Sequence, residues 1–339
     1  MSAKTNQELA LLRTSNTSKK IMLIPAWILI LAILALGAIQ SGNPANLVDP
    51  SGFLFVLAGG IALVIISFPG AEIQRALRYA AGNPADEADI RGSALFWEAA
   101  GRGFWITGVL RSILHLMRFF VSIGTVQYGT WQLIIRGLSQ SLVPTLYGIL
   151  IAVICFIAFG KLTGKLGSRP LPPIGKQGPI SIGRPSRRLG VIFGYVLFLS
   201  LLISCFYKIP EPVPLLIGLK PALLVVMGGT IALMLLMRGA KSGPMLSSAL
   251  AAMGTIGFLV GSIQIQGHVA GAFGFLLSSC LTPLLGMVLI AAPLEDRAIR
   301  TGRIAAASAL SRAAWYIFPL LALISLILMF FVFTIPGLG

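Results

Sequence analysis

Apolar residues in this chain neither alternate nor recur on one helical face; they come in unbroken runs. Runs close to the ~20 residues a helix needs to cross hydrocarbon lie at 22–39, 52–69, 113–135, 141–160, 190–207, 220–237, 247–265, 273–293 and 314–335. A segment that is apolar all round at that length reads as a membrane span, not as a surface helix. The third run has the weakest start, because a continuous apolar helix can begin as early as Gly103. The expected fold class is all-α, a polytopic membrane protein of about nine transmembrane helices.

Composition agrees. The 339 residues are 56% hydrophobic and only 11% charged, with a mean hydropathy of +0.91. Soluble domains carry about 25% charged residues, so too little polar surface is present to cover a water-soluble fold.

The net charge of +16 raises the question of nucleic acid, and its distribution answers it. Basic residues sit in gaps between apolar runs, not on one domain. The N-terminal segment holds four, the 70–103 gap four, the 161–188 gap seven, the 238–246 gap two and the 294–313 gap four. These 21 of 26 all fall on one set of alternating loops. Such a bias orients a membrane protein with those loops in the cytoplasm. The N-terminus is then cytoplasmic and the uncharged C-terminus, Thr334–Gly339, periplasmic. No nucleic-acid partner is expected; the lipid bilayer is.

Between 70 and 103 a Gly-Asn-Pro break divides two helical stretches, which reads as a short cytoplasmic hairpin. The basic, Gly/Pro-rich stretch at 166–189 reads as a linker. The expected organisation is a tail (1–21), a four-helix half (22–165), the linker, a second four-helix half (190–293), and a cytoplasmic segment with a ninth helix (294–339). An internal repeat supports it. FVLAGGIAL at 55–63 matches VVMGGTIAL at 225–233 without a gap, and LVPTLYG at 142–148 matches LTPLLG at 281–286.

Little in the runs carries chemistry. Cys155, Cys205 and Cys280 lie in apolar surroundings with no CxxC spacing and no histidine neighbour, so they read as small buried hydrophobes. No metal site, cofactor or nucleophile–base cluster is expected, and the chain is not expected to be an enzyme. All ten acidic residues lie outside the apolar runs. Ion-coupled proteins place an ionisable carboxylate at membrane depth; here a partner would have to supply it. Pro144 and Pro283 fall inside runs, each beside a threonine (Thr145, Thr282), and are expected to kink their helices. Gly254, Gly257 and Gly261 share one helix face suited to close packing. Arg111, His115 and Arg118 share another, at i, i+4 and i+7. Two readings stand for that basic face. Either it is cytoplasmic or snorkels to the interface, or it forms a collar in a water-filled vestibule or a docking face for an acidic partner.

Several stretches resemble the MotA/TolQ/ExbB proton-channel family, in its MotA-like branch. FLFVLAGGIALVIISFP (53–69) resembles the family's second span, FWEAAGRGFWITGVL (96–110) the entry to the third, and LVPTLYGILIA (142–152) the fourth. In the second half AAMGTIGFLVG (251–261) resembles the third span and residues 281–286 the fourth. The chain thus looks like a tandem duplication with an added C-terminal span.

The resemblance implies an inner-membrane, multi-pass subunit that forms homo-oligomeric rings, commonly of five. The ring would surround the helices of a single-span MotB/ExbD/TolR-like partner whose Asp carries the proton. Carried over, the ion-path hydroxyls are Ser112 and Thr145 in the first half and Thr255 and Thr282 in the second. The sequence departs from the pattern where Arg111-Ser112 replaces Gly-Thr, and where a Thr-Thr pair is reduced to Pro144-Thr145 and Thr282-Pro283.

A ring subunit of an ion-driven motor or energy-transducing complex is the leading reading. A non-conducting scaffold of the same descent is the alternative. A secondary transporter fits worst, since such repeats are often inverted and each half here has an even number of runs.

Overall fold

The computed structural model describes residues 48–81, 87–124, 131–166, 184–206, 226, 230–231, 246–264, 269–295 and 309–334. It divides at Asp49/Pro50 into two units, and the fold described is that of the second, Pro50–Gly339. Among the described residues every element is helical, with no strand. The runs expected at 22–39 and over most of 220–237, the tail 1–21 and most of the linker lie outside the described residues.

Three described stretches are long and apolar enough to cross a membrane: Pro50–Ser67, Gly137–Thr163 and Ser278–Glu295. Leu189–Cys205 and Ala314–Ile324 are shorter apolar stretches.

The first helix, α1 (Pro50–Ser67), is apolar on all sides. The Phe68 amide donates back to the Val64 carbonyl at 2.8 Å, and Pro69 then starts α2 (Gly70–Ala81). The Pro69 carbonyl accepts from the amides of Glu72 and Ile73, serving as the N-cap acceptor. Amphipathic α2 lies antiparallel along the first turns of α3 (Glu87–Gly124). Its buried Ala76 meets Phe96, which stacks edge-on with Phe68 and with Trp97 at 5.3 Å each. The Tyr79 hydroxyl donates to Asp89 at 2.8 Å on the same seam.

The apolar run at 113–135 is shared between α3 (Glu87–Gly124) and α4 (Trp131–Leu166), which run antiparallel, with Phe104 against Gly148 and Phe119 against Gly137; residues 125–130 lie outside the described residues. Hydropathy marks which residues avoid water but not where a helix stops, so the run joins the end of one helix to the start of the next. Further along lie α5 (Arg184–Phe206), α6 (Leu246–Gln264), α7 (Val269–Gly286) and α8 (Ala309–Thr334). From α7 the chain passes directly into a π-helical turn, Met287–Ala291.

Helix α3 is the axis of the core. Ile106, Val109, Leu110, Ile113, Leu116 and Met117 point in several directions around it, yet all are buried. They share one cluster with Phe198 and Leu202 of α5, Leu281 and Leu284 of α7, and Trp315, Phe318 and Leu326 of α8.

Glycines set how closely its neighbours approach. On the α1 side a Cβ at Gly60 would fall 2.1 Å from the Phe104 ring. On the α4 side the contact is main chain to main chain. A Cβ at Gly108 would lie 2.8 Å from the Pro144 carbonyl oxygen, and one at Gly148 2.7 Å from the Phe104 carbonyl oxygen. Small residues permit this approach where apolar lipid gives helices no other reason to associate.

Gly108→Ala is therefore expected to destabilise the fold by about 1–3 kcal/mol, since backbone must move to admit the methyl group. Gly160→Ala, at a helical glycine with nothing within 4 Å of the added carbon, should be neutral or stabilise by up to about 1 kcal/mol. Thermal unfolding of both variants in detergent checks the contrast; equal melting temperatures would contradict it.

Candidate functional site

The α3–α4 crossing holds the first pair of candidate residues. Proline has no amide hydrogen, so Pro144 cannot donate to the carbonyl one turn back and loosens α4 there. The next amide, that of Thr145, donates across the crossing to Ser112 Oγ at 3.1 Å. Thr145 Oγ1 donates to the same oxygen at 2.7 Å. Ser112 is wholly buried and Thr145 is 7% exposed. The glycines bring the backbones together, and across that close crossing the Ser112 hydroxyl oxygen accepts both the amide and the hydroxyl of Thr145.

Thr255 and Thr282 are not paired in this way. Thr255 is on an exposed face and donates back to the Ala251 carbonyl of its own helix at 2.9 Å. Thr282 is buried in α7. What meets across α6 and α7 is Gly254 and Pro283, where an added Cβ would lie 2.4 Å from the proline Cγ. One turn along, Gly286 meets Leu250 at 3.1 Å by the same measure.

The basic face of α3 turns toward the Pro50 end of α1. Arg111 Nη2 donates to Ser51 Oγ at 3.2 Å and Nη1 to Cys205 Sγ at 3.0 Å. Its guanidinium lies 5.5 Å from the centre of the Phe55 ring. Ser51 is the second residue of α1 and Cys205 the last but one of α5. The side chain thus runs along apolar surface and carries its charge to two helix ends, the habit of a snorkelling arginine. His115 is half-buried and Arg118 exposed.

Sequence reasoning missed a second polar cluster. Glu295, beside Asp296 and Arg297, reads as an ordinary loop acid, yet only 2% of it is exposed. One carboxylate oxygen accepts the Ser247 amide at 3.1 Å, in the first turn of α6. The other accepts the Trp315 indole N–H of α8 at 3.0 Å. On the Trp315 ring, 5.4 Å from its centre, sits the guanidinium of the buried Arg102 of α3, within the range of a cation–π contact. Glu295 therefore supplies a helix N-terminus with the negative charge it favours and ties α6, α8 and, through the indole, α3. The sequence holds one trace of this arrangement, an acidic residue just after an apolar run.

The cysteines are free and buried, and among the described residues no group of His, Cys, Asp and Glu is placed to hold a metal.

Two sets of variants test these contacts. Ser112→Ala leaves two buried donors of Thr145 without their acceptor and should cost about 1–3 kcal/mol. Adding Thr145→Val should then cost less than the sum of the two single changes. Strict additivity in detergent melts would show that the pair is not coupled. Glu295→Ala strips the acceptor from two buried N–H groups and should cost about 2–4 kcal/mol. Trp315 fluorescence reads the same variant locally; an unchanged melt and spectrum would rule the clamp out.

No curated protein and no solved structure matches the chain. A protein-family model does, and it covers the stretch that runs from within α1 to just past the end of α4. Residues 56–169, with the α3–α4 crossing and its hydroxyl pair inside them, match the model of the MotA/TolQ/ExbB proton channel family.

Proposed function

We propose that this membrane protein is a ring-forming subunit of an ion-driven, energy-transducing complex in a bacterial inner membrane. It would surround the helices of a single-span partner of the MotB/ExbD/TolR kind, whose Asp would bind the proton. The observation that carries this reading is the match over 56–169. The proteins of that family are channel and transducer subunits, so no chemical catalysis is assigned. Gly108, Gly148, Ser112 and Thr145, the small and hydroxyl residues of the α3–α4 crossing, lie inside the matched stretch. A ring of five copies is the arrangement that the family resemblance favours. The nine-span topology, the cytoplasmic N-terminus and the origin of the second half by duplication belong to the same reading. The Gly254–Pro283 and Gly108–Pro144 contacts support the duplication, because each sets a glycine of one helix against the proline of the next.

One observation favours a second reading, a non-conducting scaffold of the same descent. The apolar faces of α3 pack against its own chain, and the Ser112 and Thr145 hydroxyls are spent on each other. In a scaffold the basic face of Arg111, His115 and Arg118 would serve as the docking surface for an acidic segment.

The decisive experiment is purification of the complex from its native membrane, reconstitution into liposomes, and measurement of proton flux under an imposed gradient. The first reading expects an Asp-bearing single-span protein in the complex, and flux reduced at least tenfold by replacing that Asp with Asn. A complex that contains such a protein yet passes no protons supports the scaffold. A preparation that holds no such protein overturns both.

A further inference from the structure

Several hydroxyls in the described helices find a carbonyl on their own helix. Thr107, Ser141, Thr163, Ser204, Thr230 and Thr255 each donate to a carbonyl three or four residues back. Ser279 of α7 does not. It is wholly buried, and its Oγ has no hydrogen-bond partner. A buried polar atom without a partner costs about 1–3 kcal/mol, and a bound water or ion is one of the arrangements that relieve that cost in native structures.

A second observation falls on the same residue. Pro283 is four residues on and has no amide hydrogen, so the Ser279 carbonyl loses its α-helical donor. Residue 279 therefore offers an unmet hydroxyl and a carbonyl without its helical partner. Thr282, also buried, lies one turn on. Side chains at i and i+3 stand about 5–6 Å apart at Cβ, a gap that one water molecule bridges. The spacing of Ser279, Pro283 and Gly286 puts them on one face of α7, the face that meets Gly254 and Leu250 of α6. At the α3–α4 crossing Pro144 leaves the Gln140 carbonyl without its helical donor in the same way, but the hydroxyls beside it are engaged. There Ser141 donates to the Gly137 carbonyl, and Ser112 takes both donors of Thr145.

We infer that the Ser279 hydroxyl and carbonyl, with Thr282, form a water-binding station on the α6-facing side of α7. A proton path through this chain then uses this station in the second half, and not the closed Ser112–Thr145 pair. The donor set is neutral oxygen throughout, which suits water that accepts a proton and passes it on unchanged. The path rests on the conducting reading given above; the station does not.

Two measurements read the station whether or not the complex conducts. Ser279→Ala removes the hydroxyl. If the hydroxyl holds water, the melting temperature stays level or falls; a rise of several degrees, expected on deleting an unmet polar atom, overturns the station. In a full-length chain with its three cysteines replaced, Ser279→Cys should react with aminoethyl methanethiosulfonate at least tenfold faster than Leu284→Cys. Leu284 is equally buried and wholly apolar in side chain, so equal rates also overturn it. Reconstituted complex then tests the path. Where the unaltered complex conducts, Ser279→Ala should cut flux at least fivefold and Ser279→Thr should restore most of it. Full flux in the Ala variant overturns the path. Absence of flux in the unaltered complex refutes the conducting reading and the path with it, and leaves the station to the melt and the labelling.

Discussion

Main chain against main chain at Gly108 and Gly148 is the contact on which the rest of this bundle depends. Lipid offers no hydrophobic reason for helices to associate, so close approach and polar satisfaction must supply it. The two glycines let α3 and α4 touch at the carbonyls of Pro144 and Phe104. Once that distance is set, Ser112 stands within reach of the Thr145 amide and hydroxyl. The same placement of α3 brings Phe104 over Gly60 of α1 and turns Val109, Leu110 and Ile113 toward the second half of the chain. A methyl group at the crossing would disturb all of these together.

The α6–α7 crossing solves the same geometric problem with a different polar outcome. Gly254 faces the Pro283 ring and Gly286 the Leu250 side chain, whereas Gly108 and Gly148 face the backbone carbonyls of Pro144 and Phe104. In α3–α4 the hydroxyls close on each other. In α7 the hydroxyl of Ser279 stays unmet. The two crossings therefore differ in whether their buried hydroxyls are satisfied.

Charge is handled by a separate device. A carboxylate out of water must gather donors to offset its lost hydration, and Glu295 gathers the Ser247 amide and the Trp315 indole. Trp315 carries Arg102 on its ring face, which binds α8 to α3 without either charge standing bare. Arg111 takes the other route and reaches along Phe55 to two helix ends.

The sequence by itself determined the helical class, the membrane character and the burial of the three cysteines. Each of these follows from local properties: apolar length and residue type. It also held the resemblance that the family model matches over residues 56–169, because short motifs such as LVPTLYG survive as strings. Where the run at 113–135 breaks was not legible, since hydropathy does not register a helix end inside apolar sequence. Nor was the partner of any polar side chain. Ser112 with Thr145, Glu295 with Trp315 and Arg111 with Cys205 join residues 33, 20 and 94 positions apart. Only the tertiary structure decided those pairings, because a hydrogen bond depends on ångström distances that sequence spacing fixes within one helix and leaves open between two.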